Sequence, residues 1–300
     1  MKILITGGMG FIGLHLVDYL LKKGNKIIVL DNFSNSNKNL IKKIQNKNLR
    51  IIEGDIRKID DIVNSMKNQE IVIHLAAKIS VNESIENPNE TFDVNVNGTK
   101  NVLKACKQNN IKKLIVASSA AVYGENTSQS KLKEISKTNP ISPYGESKLL
   151  MENEINKFQI KNSNLNCIIL RFFNIFGKGQ SSEYAGVITK FIEKISTNES
   201  IEIFGDGLQE RDFISVDDVI ESIFNAMKNG TGGTYNIGSG KTTTINELAK
   251  VIISISKKNI KISHLPPKKG DIKFSGADIT LAKNEIKYSP KFNLKKIKEL

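Results

Sequence analysis

The segment Thr6-Gly-Gly-Met-Gly-Phe-Ile-Gly13 lies between a short β-rich run, Lys2–Thr6, and an amphipathic helical run, Phe11–Lys23. A strand that turns at once into a helix needs glycine for three reasons. One residue makes the tight turn, one lets backbone amides approach a pyrophosphate, and one lets the helix pack closely on the sheet. The first helical turn then offers unpaired N–H groups and a positive dipole end to anionic oxygens. The string satisfies two spacings, Gly8, Gly10, Gly13 as GxGxxG and Gly7, Gly10, Gly13 as GxxGxxG. A ligand-free turn also uses glycines, so the string alone is a weak signal. Its place between strand and helix points to a bound dinucleotide.

Asp31 ends the second apolar run, where a carboxylate accepts hydrogen bonds from ribose hydroxyls and repels a 2′-phosphate. The neighbouring Asn32, Phe33 and Ser34 include no arginine to receive such a phosphate, which favours NAD over NADP. Gly54-Asp55-Ile56 follows the third run, where an Asp can meet the adenine edge, although alone it would pass for a turn.

The first two-thirds of the chain alternate β-rich and amphipathic runs. Strands are expected at Lys2–Thr6, Lys26–Leu30, Leu49–Glu53, Ile71–Ala76, Lys113–Ser118 and Leu165–Arg171. Helices are expected at Phe11–Lys23, Asp60–Met66, Thr91–Asn109 and Pro143–Lys161. Such alternation is the signature of an α/β fold with a parallel, doubly wound sheet. After Asn174 the pattern loosens into turn-rich pieces and short helices, Ala185–Ser196 and Val216–Lys228, read as a smaller lobe built from insertions. Ser34–Lys47 reads as an exposed loop and short helix.

Composition excludes more than it assigns. No stretch approaches the roughly 18 apolar residues of a membrane span, and the first strand runs straight into glycines, unlike a signal peptide. Cys106 and Cys167 read as ordinary thiols of a reducing cytoplasm, and His15, His74 and His264 are too scattered for a metal site. The net charge of +13 comes from dispersed lysines and suggests a solvated basic surface, attractive to nucleotide diphosphates but without a nucleic-acid motif.

Two elements carry chemistry. In Tyr144-Gly-Glu-Ser-Lys148, Ser142-Pro143 is a good helix start, so Tyr144 and Lys148 lie one turn apart on one face. A nearby ammonium, a helix N-terminus and an oxidised nicotinamide would all favour the phenolate of Tyr144 as a base. A half-buried Tyr beside a surface Lys gives the same pattern. Ser118-Ser119-Ala-Ala-Val-Tyr-Gly124 ends the fifth strand, where open α/β sheets place their ligands, and a hydroxyl there could relay a proton to Tyr144.

Together these residues closely resemble the NAD-dependent epimerase/dehydratase family, the extended short-chain dehydrogenases, over nearly the whole chain. The resemblance implies a doubly wound parallel Rossmann sheet with a smaller α/β substrate-binding lobe. Residues 1–173 with about 213–240 would bind NAD, and about 174–212 with 241–300 would bind a nucleotide sugar. It places Gly7, Gly10, Phe11, Ile12, Gly13, Asp31, Asn32, Asp55, Ile56, Leu75, Ala76, Ala77, Asn95, Tyr144, Lys148 and Phe173 around the cofactor. Ser119, Tyr144 and Lys148 match the catalytic triad, and Asn95 in Asn-Val-Asn-Gly-Thr99 matches an Asn that supports the active site. Ser119, Asn174, Val187, Phe204, Arg211, Lys268, Asp271 and Ser275 fall where the family holds its substrate. Arg171-Phe-Phe-Asn174 looks like the segment that closes on nicotinamide and diphosphate. His74 reads as structural.

Family dehydratases carry Asp-Glu after the catalytic hydroxyl residue, where this chain has Ala120 and Ala121. Elimination needs an acid and a base, so the resemblance implies C4 epimerisation of a UDP-hexose through a 4-keto intermediate, without net oxidation. Lys268 stands where the family usually has a second diphosphate arginine, which weakens that clamp. Ser275 is small where some 4-epimerases carry an aromatic, leaving room for the N-acetyl group of UDP-GlcNAc. The family also implies a homodimer through Thr91–Asn109 and Pro143–Lys161. Open alternatives are an epimerase of another nucleotide sugar such as a UDP-uronate, a non-catalytic dinucleotide- or RNA-binding relative, and a net oxidoreductase.

Overall fold

A computed structural model describes residues 1–36, 38, 46–180, 186–268, 270–291 and 297–298. The chain begins β1 (Lys2–Thr6), α1 (Phe11–Lys22), β2 (Lys26–Asp31), β3 (Leu49–Glu53), α2 (Ile59–Met66) and β4 (Ile71–His74). Then come α3 (Val81–Glu86), α4 (Pro88–Phe92), a π-helical turn (Asp93–Asn97), α5 (Gly98–Gln108) and β5 (Lys113–Ser119). A 3₁₀ turn (Ala120–Val122) leads on to α6 (Pro143–Lys161), β6 (Asn166–Phe172), β7 (Asn174–Phe176), α7 (Val187–Ser196) and β8 (Ile201–Phe204). The rest is β9 (Glu210–Arg211), β10 (Phe213–Ser215), α8 (Val216–Asn229), β11 (Gly233–Ile237), β12 (Thr243–Thr244), α9 (Ile245–Ser256), β13 (Ile262–Leu265), β14 (Phe274–Ser275) and α10 (Thr280–Ile286).

Seven described strands form one sheet in the order β11-β6-β5-β4-β1-β2-β3, every neighbour parallel. Alternation along β1 shows why it is covered twice. Ile3 and Ile5 join the apolar layer that contains Leu16 and Leu20 of α1 and Ile220 and Ile223 of α8. Leu4 faces the other layer, with Ile62 of α2, Val102 of α5 and Met151 of α6. The strand order reverses between β1 and β4, and at such a switch point the crevice outside the carboxyl ends is open to ligands.

Two expected elements differ. The fourth strand stops at His74, two residues early, because the chain leaves the sheet to cross Gly7; a Cβ on Gly7 would lie 2.6 Å from the Ala76 amide nitrogen. The single helix expected over Thr91–Asn109 is α4, the π turn and α5 in series, with α3 unanticipated before it. Residues 37 and 39–45 of the expected Ser34–Lys47 loop, and Ala185, lie outside the described residues.

A third apolar layer lies beyond β6. It joins Phe176, Phe191 and Ile195 to Ile201 and Ile203 of β8 and Leu248 and Ile252 of α9. Its strands are short: β7 pairs with β10, β8 with β13, and β9 lies between β12 and β14. A Thr244–Glu247 capping box fixes α9, and Ser215 caps α8 of the first layer.

Candidate active site

The glycine loop is shaped by the backbone around it. Gly7 has a φ of +69°, a left-handed conformation that suits glycine, and Cβ atoms at Gly7 and Gly13 would meet main-chain atoms at 2.5–2.6 Å. A Cβ on Gly10 would approach only the Gly7 carbonyl oxygen, at 3.4 Å, so packing does not demand glycine there. Gly10 is the N-cap of α1 and gives it no side-chain cap. The first-turn amides of α1 are thus left for a ligand.

Asp31 braces this loop. Its carboxylate accepts the amides of Met9 at 2.9 Å and Phe33 at 2.8 Å and the hydroxyl of Ser36 at 3.1 Å. Asp55 is more fully engaged: Arg57 holds both its oxygens, and Asn32 donates to Oδ2 at 3.2 Å. The Arg57 hydrogen bond leads in drawing its pKa down to about 2. Ile56 is buried against Gly98, and Leu75, Ala76 and Ala77 follow β4 over the loop. Phe11 and Ile12 open α1, half-buried on the core.

The catalytic candidates meet at the end of β5. Ser119 leaves the strand and accepts the Ala121 amide at 3.1 Å, and the start of α6, which carries Tyr144, packs on the turn that follows: a Cβ on Gly145 would lie 2.7 Å from the Ala121 carbonyl oxygen. Ser142 caps α6 through the Gly145 amide at 3.1 Å, and the Tyr144 amide is held by Ser84 at 3.1 Å. Burial pushes the Tyr144 phenol up. Lys148 is buried and donates to the Ala117 carbonyl at 3.0 Å. Desolvation takes its ammonium down to about 8, with Glu152 pulling the other way. The Tyr144 phenol thus stands above its ordinary value, with Ser119 opposing the rise.

Asn95 lies on the π turn, almost wholly buried. It binds the Lys78 main chain at both groups, 2.8 and 2.9 Å, and donates to Ser147 at 2.9 Å. Ser147 in turn donates to the Tyr144 carbonyl at 2.7 Å. Arg171 opens the segment expected to close on nicotinamide and diphosphate. It turns into the protein, forking onto Glu152 with Nη2 2.6 Å from Oε2, and donates to Tyr123 at 2.9 Å. Phe173 is buried near Tyr123.

Beyond β6 a cavity of about 410 Å³ is lined by Asn174, Val187, Phe204, Arg211, Lys268 and Asp271, all expected substrate positions. Arg211 reaches Asp271 at 2.6 Å, and the Lys268 ammonium stands 3.9 Å from the centre of the Phe204 ring. Ser275 is not part of that lining, but it is the register partner of Arg211 on the neighbouring strand, and partners point to one face. Ser119 pairs with Phe172, two residues before Asn174, so the strand end and the cavity are consecutive along β6–β7.

A model of the NAD dependent epimerase/dehydratase family matches residues 3–238. The chain belongs to that family. A UDP-glucose 4-epimerase structure from Thermotoga maritima with UDP-glucose superposes with a TM-score of 0.93 at 35% identity, covering 99% of this chain and 96% of that one. A UDP-N-acetylglucosamine 4-epimerase from Methanobrevibacter ruminantium gives 0.91 at 37%, covering 99% and 94%. The UDP-glucose 4-epimerase of Bacillus subtilis is 32% identical over 321 residues, 99% of this chain and 94% of its own. The fold class is shown by these likenesses, and NAD is the cofactor of this epimerase/dehydratase family. The residues present fit that group: Cβ atoms at Gly7 and Gly13 would meet main chain, α1 begins with no side-chain cap, and the Asp31 carboxylate accepts the Met9 amide of the loop.

Several residues that shape this epimerase-family site were not anticipated. Ser84 holds α6 from α3, and Ser147 and Glu152 of α6 bond to Asn95 and Arg171, across chain separations that no local motif reports. Gln209 lines the cavity, donating to Phe204 and Asp271, while its Oε1 is buried without a partner among the described residues. No cluster of metal-ligating side chains occurs among the described residues.

Proposed function

We propose that this chain catalyses the reversible C4 epimerisation of a UDP-hexose with bound NAD. The observation that carries the reading is the packing of the Tyr144 end of α6 on the turn after Ser119, a turn made of Ala120 and Ala121. A hydroxyl pair can move one proton to and from a sugar oxygen, and two alanines supply no second acid or base for elimination.

Tyr144 takes the C4 hydroxyl proton, directly or through Ser119, and later returns it. Lys148, fixed on the Ala117 carbonyl, would hold the nicotinamide ribose, and Asp31 would accept the adenosine ribose hydroxyls. NAD, when bound, supplies a reversible hydride acceptor and a cationic ring that favours the tyrosinate. Arg211 holds the diphosphate through its planar fork, helped by the point charge of Lys268, while the keto sugar turns over. Residues 1–173 with about 213–240 serve the cofactor, and about 174–212 with 241–300 serve the sugar nucleotide.

The small Ser275 beside Arg211 leaves space for a C2 N-acetyl group, so UDP-GlcNAc is a substrate along with UDP-glucose. A homodimer through the helices near Thr91–Asn109 and Pro143–Lys161 and a cytoplasmic location, suited to two buried free thiols, complete the reading. Among the described residues no helix is long and apolar enough to cross a membrane.

Proton NMR of the purified protein with UDP-glucose or UDP-GlcNAc tests the proposal. Galacto anomeric signals without NADH accumulation are expected in both tubes. Stoichiometric NADH, or no change even with added NAD, would refute it.

A further inference from the structure

Between β1 and α5 the interior contains an uninterrupted file of polar groups. Thr6, His74, Asn95 and Thr99 are each at most 2% exposed. His74 Nδ1 lies 2.7 Å from the Thr6 hydroxyl and Nε2 lies 2.9 Å from the Thr99 hydroxyl. Thr99 also lies 2.7 Å from the Asn95 carbonyl oxygen, which can only accept. The single hydroxyl proton of Thr99 is therefore committed, and Thr99 must receive a hydrogen bond from His74. That places a proton on Nε2.

The other end settles Nδ1. Thr6 receives the Ala76 amide at 3.4 Å and keeps its own proton for the ring. A doubly protonated ring would aim a second N–H at Thr6 and strand that hydroxyl proton. The bonds thus run one way only, from Ala76 through Thr6, His74 and Thr99 to Asn95. They end on a carbonyl that cannot pass a proton on, so the file positions groups and does not conduct protons.

We propose that His74, held as the neutral Nε2–H tautomer, is a positioning residue that fixes Asn95, and through it Tyr144, relative to the glycine loop. One end of the file is Thr6, next to Gly7. The other is Asn95, whose side chain grips Lys78 and the Ser147 hydroxyl beneath the Tyr144 carbonyl. The cofactor cradle and the catalytic helix come from chain segments more than a hundred residues apart, and this imidazole sets their spacing. Burial and the nearby Lys148 charge both disfavour imidazolium, in agreement with the geometry. The functional part rests on the epimerase reading above.

The test has two arms. Nitrogen NMR of the imidazoles in the wild-type protein, without substrate, is expected to show a pyridine-type Nδ1 and a pyrrole-type Nε2 for His74, unchanged between about pH 5 and 8. An Nδ1–H tautomer, or titration in that range, overturns the proposal. In the second arm, His74→Leu is expected to lower kcat about 10- to 100-fold with KM for the UDP-hexose little changed. His74→Gln, which offers an acceptor and a donor, restores most of that loss. Wild-type kcat in His74→Leu, or no rescue by Gln, overturns it. Should His74→Leu not fold, the wild-type spectrum still decides. Failure of the epimerase reading shows separately, as absent turnover in a protein whose spectrum is as expected.

Discussion

Glu152 holds the Arg171 guanidinium by a fork, Nε at 3.0 and 3.2 Å and Nη2 at 2.6 Å, with both side chains at most 8% exposed. Ser118, next to the catalytic candidate Ser119, also donates to Glu152 at 2.5 Å. The pair therefore ties β5 and β6 to α6 one turn beyond Lys148. Arg171→Met should leave a buried carboxylate unpaired and cost about 3–5 kcal/mol, measured by urea denaturation. A loss under 1 kcal/mol would show that the carboxylate finds water or a proton cheaply.

Tyr144→Phe removes only a hydroxyl. Turnover of UDP-glucose should fall on the order of 10²- to 10⁴-fold while KM and the circular dichroism spectrum hold. Ser119→Ala should fall in the same direction and by less, because Tyr144 retains direct access to the sugar oxygen.

Arg211→Ala should raise KM for the UDP-hexose by roughly 10- to 100-fold, the scale of a lost charged hydrogen bond. Lys268→Ala should raise it less, since its ammonium lies over the Phe204 ring and offers a point charge. Equal effects would mean that Lys268 is a full partner in the clamp.

Ser275→Tyr should suppress turnover of UDP-GlcNAc far more than that of UDP-glucose in parallel NMR assays. Equal loss of both would place the residue away from the C2 substituent.

Stability should respond to acid through His74, whose imidazole burial holds down at about 3 against an ordinary 6.5. As pH falls below 6.5 the unfolded chain takes up a proton that the native ring refuses. The contribution is present above 6.5 and is lost toward pH 3, at about 1.4 kcal/mol per pH unit. Asp212, raised to about 6 by burial, works in the opposite sense between its ordinary 3.8 and 6. The difference between wild type and His74→Gln in denaturation midpoints across this range therefore isolates the imidazole. Parallel curves would show that the ring is protonated in the native state.

The elements legible beforehand were those with their own chemistry at the ends. The Ser142-Pro143 start marks α6, whose bounds Pro143–Lys161 are as expected, and the alternating apolar runs mark the sheet. Six of the eight expected substrate positions line one cavity, Asn174, Phe204 and Arg211 from the ends of short strands, Val187 from the start of α7, and Lys268 and Asp271 from the loop before β14. The π turn left no trace in the sequence, since one extra residue in a helical turn disturbs apolar periodicity too little. Nor could Ser84, Glu152 or Gln209 be singled out, as their partners come from distant segments.

That π turn has a further consequence. Each residue of an α-helix turns the next by about 100°, so one residue accommodated between Asp93 and Asn97 puts α4 and α5 out of phase. The segment can thus show Asn95 to Ser147 of α6 and still press Val102, Leu103 and Cys106 onto the sheet. Removing one residue there would leave a smoother helix in a molecule whose two faces no longer matched. Regularity at this point would come at the expense of the site.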